Sequence, residues 1–404
     1  MKTRQMLFVL ICSTLLLAAC QAQPATPTEV PVSATSTTEN TPTQIPQPSA
    51  TKAPTTTALP TAWPTATAGP TPVGGSDELI FSLEKRVNEG YHFEGVYLLN
   101  LATRERTELF DADYQLQDLS PDGHLILVNQ RSNLYLSDRY GGSRTLLSSS
   151  FYDMGTPSAR WTEDGSIMLW IEAAGDGTQV ISADPSGQNA LPAAAVLQDH
   201  AVAIYASIDE DHILWAKRNC SAFAICTQDF QVSSLSSGET RALINDQNPQ
   251  PAWSGDWLAF LTQGENGFQL AVNAGINNDS PQLLDMGSDI AVDYEWSPIR
   301  NSLLVLGQVR SDYSGKNFGN NIRLFSPPDW KAQILTSVDG INGRLEWSPD
   351  GQFFVVTTTE VDDSGYWIGM RLFNIPGGQL ISYDDQLGLV SEDFLFVSKL
   401  FWVP

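Results

Sequence analysis

The chain has 404 residues and an acidic composition, with 46 Asp and Glu against 22 Lys and Arg and a net charge of −24. This charge excludes nucleic acid and anionic lipid headgroups as partners of the folded region, because both require a basic surface. We therefore predict no nucleic-acid partner.

The first 19 residues have the layout of a secretory signal. Lys2 and Arg4 precede an apolar run over residues 6–17, which is short for a membrane span. The next residues, Leu17-Ala18-Ala19-Cys20, resemble the lipobox of bacterial lipoproteins. That resemblance implies a signal peptide over 1–19 and a lipid anchor (palmitate among its chains) at Cys20, which attaches the protein to a bacterial membrane on its outward, extracytoplasmic side. An ordinary cleavage site with an incidental Cys is the alternative.

Residues 20–75 are predicted to be the lipidated Cys followed by a disordered tether. The stretch from Gln21 to Gly74 contains 15 Thr and 11 Pro. Such a composition cannot bury enough apolar surface to fold, and its prolines favour an extended chain.

A turn motif recurs through residues 76–404. Its reference copy is Trp347-Ser348-Pro349-Asp350-Gly351, in which Pro presets φ for a turn, Asp bonds nearby backbone, and Gly permits positive φ. Weaker copies are spaced about 40–50 residues apart, the period of a β-propeller blade. The copies begin at Leu119, Trp161, Ser207, Trp253, Trp296 and Trp347.

Each copy is followed by an apolar strand, a third strand and a shorter fourth one, which predicts an all-β propeller of four-stranded blades. The first segment, from Glu78, contains only three strands, and the last, from Lys399 to Pro404, contains only a Trp strand. We therefore predict that the C-terminal strand completes the N-terminal blade and removes two open sheet edges. This gives seven blades, or six if the divergent repeat at Ser207 is irregular.

The repeats resemble those of TolB-type propellers, whose units contain a turn like that of Trp347 to Gly351, and more loosely those of WD-repeat propellers. The resemblance covers residues 76–404 and implies the propeller fold. It specifies no ligand.

Two cysteines remain in the folded region, Cys220 and Cys226. In an exported protein, a pair at this spacing is most simply a disulfide that closes a loop or hairpin. A metal pair is not favoured, because no further Cys completes a zinc site.

The sequence contains no motif of a hydrolase elbow, zinc protease, phosphate-binding loop or dinucleotide-binding fold. We predict no cofactor and no metal site. Acidic pairs could in principle ligate Ca²⁺ or serve a glycosidase, but solvated turns explain them more simply. These clusters are Asp111–Asp113, Asp209–Asp211, Asp362–Asp363 and Asp384–Asp385.

Aromatic residues outside the repeated Trp position are the candidates for ligand contact, because exposed rings on loops suit sugar or peptide stacking. The longest insert, residues 310–321, is polar and Gly-rich and is the best candidate loop. The predicted contact residues are Tyr313, Phe318, Trp330, Tyr366 and Trp367.

These features predict a monomeric, surface-displayed lipoprotein whose propeller is a non-catalytic binding or scaffolding module for a protein, peptide or glycan. A surface glycan hydrolase or lyase with carboxylates near the propeller channel is the alternative.

Overall fold

The computed structural model describes residues 73–404, with gaps at 88–89, 154–156, 176, 194–200, 210, 221–225, 247–250, 265–266, 276–279, 310–318, 363–364 and 384–388. The predicted signal, Cys20 and nearly all of the predicted tether lie outside these residues. The described chain forms seven antiparallel four-stranded sheets arranged as a propeller ring, so the predicted fold is confirmed.

The first four blades contain β1 to β15 and, in blade 1, the last strand of the chain. Blade 1 consists of β1 (Glu78–Val87), β2 (Gly90–Asn100), β3 (Arg106–Phe110) and β29 (Phe394–Trp402). Blade 2 consists of β4 (Gln115–Leu119), β5 (Leu125–Gln130), β6 (Asn133–Asp138) and β7 (Arg144–Ser148). Blade 3 consists of β8 (Ala159–Trp161), β9 (Met168–Ala174), β10 (Gly177–Ala183) and β11 (Leu191–Pro192). Blade 4 consists of β12 (Ala201–Ser207), β13 (His212–Cys220), β14 (Cys226–Ser234) and β15 (Thr240–Asp246).

The remaining three blades follow in chain order. Blade 5 consists of β16 (Ala252–Trp253), β17 (Trp257–Gly264), β18 (Gly267–Ala274) and β19 (Gln282–Leu283). Blade 6 consists of β20 (Asp289–Trp296), β21 (Leu303–Val309), β22 (Gly319–Phe325) and β23 (Gln333–Asp339). Blade 7 consists of β24 (Ile341–Trp347), β25 (Phe353–Asp362), β26 (Gly365–Asn374) and β27 (Gln379–Ser382), and the short β28 (Val390–Ser391) also pairs with β26. The divergent repeat at Ser207 is a full blade, which gives seven blades and not six.

The ring closes through the last strand of the chain, as predicted. β29 pairs antiparallel with β1 over eight residue pairs, from Leu79 opposite Trp402 to Arg86 opposite Phe394. It is the innermost strand of blade 1, the place that the first strand of each repeat takes in the other blades. The innermost strands surround the central channel of the ring.

The repeated turn is held by its serine or threonine. Ser348 Oγ donates to Asp350 Oδ1 (2.6 Å) and accepts from the backbone N–H of Phe353 (2.9 Å), while Gly351 has φ of +63°. The turns at Ser120 and Thr162 have the same hydrogen bonds. These side chains replace backbone partners that a tight turn leaves unpaired.

The repeated tryptophans pack between neighbouring blades. Trp347 contacts the core of blades 6 and 7, and Trp402 contacts that of blades 7 and 1. A buried aromatic ring excludes a large apolar area from water, so this position contributes strongly to blade-to-blade packing. No helix in the described part of the chain is long and apolar enough to cross a membrane.

Candidate functional site

The two faces of the ring differ in what they display. The turns between the second and third strands of each blade and the connections between blades lie on one face, here called the upper face. The repeated Ser-Pro-Asp-Gly-type turns lie on the other, the lower face. This division follows from the antiparallel strand order of the blades.

Four aromatic rings form a continuous row on the upper face between blades 7 and 1. Tyr366 of β26 packs edge-on against Phe394 of β29 (5.3 Å between ring centroids), and Phe394 contacts Phe396 (5.9 Å). Phe396 in turn packs edge-on against Tyr91 of β2 (5.8 Å). Tyr91 is 61% exposed, whereas the other three rings are half-buried. These four residues are the aromatic row.

The register of blade 1 positions the middle of this row. Arg86 of β1 lies opposite Tyr91 on one side and opposite Phe394 on the other. Its guanidinium lies 6.0 Å from the centre of the Tyr91 ring, within reach of a cation–π contact. The neighbouring Lys85 lies 3.7 Å from Glu94 and 3.5 Å from Asp393. An exposed aromatic surface is thus bordered by charged groups.

The structure describes three of the five predicted contact residues, and these three differ in exposure and surroundings. Tyr366 belongs to the aromatic row, and Trp367 follows it, half-buried, opposite Val390 of β28. Tyr313 and Phe318 lie outside the described residues. The exposure expected for Trp330 is wrong: it is only 4% exposed and packs edge-on against Trp257 (4.8 Å) and Trp296 (6.0 Å). Its turn folds the ring back into the core between blades 5 and 6.

The predicted cysteine pair lies at the end of one hairpin. Cys220 ends β13 and Cys226 begins β14, and the two are directly opposite in the register. Opposite residues of antiparallel strands have Cα atoms about 4.5–5.5 Å apart, and disulfides require about 4.4–6.8 Å. The backbone is compatible with the disulfide, which stays a prediction.

The acidic clusters that the structure describes are turns. Asp111 accepts a hydrogen bond from the backbone N–H of Asp113 (3.1 Å), and Asp209 accepts from the N–H groups of Asp211 and His212 (both 2.8 Å). The side chains of residues 362–363 and all of 384–385 are outside the described part. Across the described residues, no group of three or more His, Cys, Asp or Glu side chains could hold a metal ion.

A second group of polar residues lies on the innermost strands, directly before the repeated Trp position. Three of them are carboxylates, and each accepts a hydrogen bond from the backbone N–H of the tryptophan in the next blade around the ring. These bonds run from Trp161 to Asp118 (2.8 Å), from Trp347 to Glu295 (3.1 Å) and from Trp402 to Glu346 (3.1 Å). They connect blades 2 and 3, 6 and 7, and 7 and 1.

The environment of these carboxyl groups favours their neutral form. Burial raises the pKa of Glu346 to about 8. Burial, reinforced by the charge of Glu346, raises the pKa of Glu295 well above its ordinary value. Burial also raises the pKa of Asp293, whose carboxylate accepts from the backbone N–H of Leu345 (2.8 Å). Adjacent, half-buried carboxyls that hold a proton near neutral pH are able to donate it as a general acid.

A half-buried cation also lies on the innermost strands. Lys399 of β29 donates from Nζ to the backbone oxygen of Gln117 (2.8 Å). Burial, together with the positive charge of Arg160, lowers the pKa of Lys399 to about 8. Sequence reasoning did not identify these channel residues. The available signal was a charged residue just before the Trp position in four repeats, at Asp118, Arg160, Glu295 and Glu346.

The fold is similar to that of several solved β-propellers. An oligogalacturonate lyase in complex with manganese aligns with a TM-score of 0.52 and 13% identity, over 75% of this chain and 83% of that chain. TolB from Acinetobacter baumannii aligns with a TM-score of 0.45 and 14% identity, over 82% and 84% of the two chains. The propeller domain of the trilobed protease from Pyrococcus furiosus aligns with a TM-score of 0.48 and 11% identity, over 76% and 92%.

No family model and no curated protein matches the sequence. At identities this low, the similarity to solved structures shows the fold and nothing about activity.

Proposed function

We propose that the protein is a lipid-anchored, extracytoplasmic β-propeller that binds a peptide, protein or glycan on its upper face without catalysing a reaction. The observation that carries the proposal is the aromatic row. Three half-buried rings hold its geometry, and the exposed Tyr91 offers a flat apolar surface beside a guanidinium. Aromatic groups of this kind dominate the energy of recognition surfaces.

The hydrogen bonds of the channel carboxylates favour binding over catalysis. Asp118, Glu295 and Glu346 each accept a backbone N–H of the neighbouring blade, so each has a structural role at a blade junction. A catalytic carboxyl pair needs free oxygens directed at a substrate. These oxygens are directed, at least in part, at the protein itself.

The location belongs to the same proposal. A lipid on Cys20 would attach the chain to the membrane, and the Thr- and Pro-rich residues 21–74 would act as the tether. Replacing Cys20 with Ser should move the protein from the membrane fraction to the soluble fraction. If the variant stays in the membrane fraction, the anchor is not at Cys20.

The binding role is tested with arrays of peptides and glycans and the detergent-solubilised full chain. Tyr91→Ala should weaken binding to any ligand found by at least tenfold. Tyr140→Ala is the matched control, because Tyr140 is also exposed (55%) and lies under an arginine, but on a lower-face turn. If Tyr91→Ala and Tyr140→Ala bind the ligand with equal affinity, the aromatic row is not the binding surface.

A glycan hydrolase or lyase is the second candidate, and one observation favours it. Glu346, with its pKa of about 8, and the adjacent Glu295 could hold a transferable proton in the channel. Product formation from a glycan that is lost in Glu346→Gln but retained in Tyr91→Ala would establish this reading and reject the non-catalytic one.

A further inference from the structure

The outer edge of blade 1 is open on the upper face. β1 pairs with β2 over its full length, whereas β3 pairs with β2 only from Val96 to Leu99. Residues 90–95 of β2 therefore have a strand on their inner side, but no strand of the described chain pairs with them on the outer side. Alternate residues of such an edge direct their backbone N–H and C=O groups outward, where a further strand can pair with them.

A tight turn keeps this edge open. Asp111 directly follows β3, and its side chain accepts a hydrogen bond from the backbone N–H of Asp113 (3.1 Å). The backbone oxygen of Asp111 accepts a second one from the N–H of Tyr114 (3.1 Å). The turn leads the chain from β3 to β4, the innermost strand of the next blade, instead of along the upper half of β2. The open part of β2 is roughly 20 Å long, at about 3.3 Å per residue.

Blade 7 shows how such an edge is filled. β27 pairs only with the last four residues of β26. Higher on the same edge, β28 pairs antiparallel with β26 at Tyr366 and Trp367. The backbone N–H of Ile368 also donates to the backbone oxygen of Leu389 (3.3 Å). A short extended segment thus occupies in blade 7 the place that is open in blade 1.

The side chains beside the open edge favour apolar neighbours. Tyr91 is 61% exposed, and Phe93 lies two residues further along, on the same face of the strand. Phe93 also contributes to the wall of a cleft of about 480 Å³, together with Asp113 and Tyr152. Side chains of neighbouring strands contact each other directly across and along the diagonal. An apolar side chain of an added strand would therefore contact Tyr91 or enter the cleft.

The charges around the edge favour a basic segment. Asp111 and Asp113 are exposed at the end of β3, and Glu94 lies on β2 itself. The cations of the same hairpin are Lys85, which lies 3.7 Å from Glu94, and Arg86. The whole chain has a net charge of −24. A strand that contains Lys or Arg is therefore attracted to this edge, and an acidic one is repelled.

We infer that residues 90–95 of β2 bind an extended, basic segment of a partner protein as an additional antiparallel strand. The inference rests on the proposed binding role of the upper face and selects a peptide from its ligand classes, because a glycan has no row of backbone amides to pair with a strand. In this mode of recognition, main-chain hydrogen bonds supply affinity and alternate side chains supply specificity.

The probe is the tightest-binding member of a phage library of random dodecapeptides, selected on the detergent-solubilised full chain and then synthesised. Two versions have N-methyl groups on alternate residues, one at the odd and one at the even positions. One version should lose binding and the other should keep it, because only one row of peptide N–H groups faces β2. Changing the Lys and Arg residues of the peptide to Glu should weaken binding about tenfold.

Hydrogen exchange followed by mass spectrometry locates the bound peptide. The amides of residues 90–95 should exchange about tenfold more slowly when the peptide is bound, because the outward N–H groups then have partners. Residues 366–368 are the matched control. Their edge is already occupied by residues 389–391, so their exchange should not change.

The inference is overturned if no dodecapeptide binds, if both N-methylated versions keep full affinity, or if protection appears away from residues 90–95. Protection of these residues that rises with protein concentration in the absence of peptide would also overturn it, because a second copy would then occupy the edge. Glycan binding that depends on Tyr91, without any peptide at residues 90–95, would reject this inference alone. No peptide or glycan binding on the upper face would reject the proposed function too.

Discussion

The carboxyl pair at the junction of blades 6, 7 and 1 should make the protein less stable as the pH rises from 5 to 8. Glu346 has a folded pKa of about 8 against an ordinary value of 4.5. The group therefore stays protonated in the folded protein while it ionises in the unfolded chain. Its stabilising contribution is fully present below pH 4.5 and is lost as the pH rises towards 8.

The size of the effect follows from this shift. One pKa unit corresponds to about 1.36 kcal/mol, so Glu346 alone could remove up to about 4 kcal/mol from the free energy of unfolding between pH 5 and pH 8. Glu346→Gln stays neutral and still offers an oxygen to the Trp402 N–H. The variant should resemble the wild type at pH 5 and exceed it in stability by up to about 4 kcal/mol at pH 8.

The assay is urea unfolding of the full chain, followed by tryptophan fluorescence at pH 5, 6, 7 and 8. Glu163→Gln is the control, because Glu163 is an exposed glutamate on a lower-face turn. The stability of this variant should change with pH as that of the wild type does. If Glu346→Gln also keeps the wild-type pH dependence, or if the wild type becomes more stable between pH 5 and 8, the reasoning about this pair is wrong.

Three further outcomes can be checked by thermal unfolding. Trp330→Ala should destabilise the protein by about 3–5 kcal/mol, because it empties a buried space between two other tryptophans, and it should leave ligand binding unchanged. Ser348→Ala should cost about 1–3 kcal/mol, because the turn then contains an unpaired backbone N–H. Reduction should destabilise the oxidised protein by about 2 kcal/mol if Cys220 and Cys226 form the predicted disulfide.

Each of these outcomes has a contradicting result. If Trp330→Ala weakens ligand binding while keeping the wild-type stability, Trp330 contacts the ligand after all. An unchanged Tm in Ser348→Ala would show that the hydroxyl of Ser348 does not stabilise the turn. Two free thiols in the unreduced, unfolded protein would exclude the disulfide.

The fold was accessible from the sequence because its information is local and repeated. Each turn of the Trp347 type specifies one hairpin. The regular spacing of the turns specifies the blades even where most residues of the motif are replaced, as at Ser207. The incomplete first and last segments were sufficient to predict the pairing of β1 with β29.

The site was less accessible because it is assembled from distant parts of the chain. Tyr91 and Phe396 come into contact only when the ring closes, so neither is conspicuous in its own repeat. From the sequence alone, Glu346 cannot be distinguished from any other polar residue of a strand, because its neighbours around the channel come from other blades. Trp330 follows a turn in sequence, and only the packing of blades 5 and 6 reveals that its ring points inward.

The way the chain enters the ring determines which side a tethered propeller presents. Ser76 accepts a hydrogen bond from the Trp402 indole (2.8 Å), and the backbone oxygen of Gly74 accepts one from Asp350 N–H (3.4 Å) in a repeated turn. A chain arriving at Val73 therefore reaches the propeller on its lower face. If the proposed tether holds it from that side, the molecule presents the aromatic row away from the tether, where a large ligand can approach.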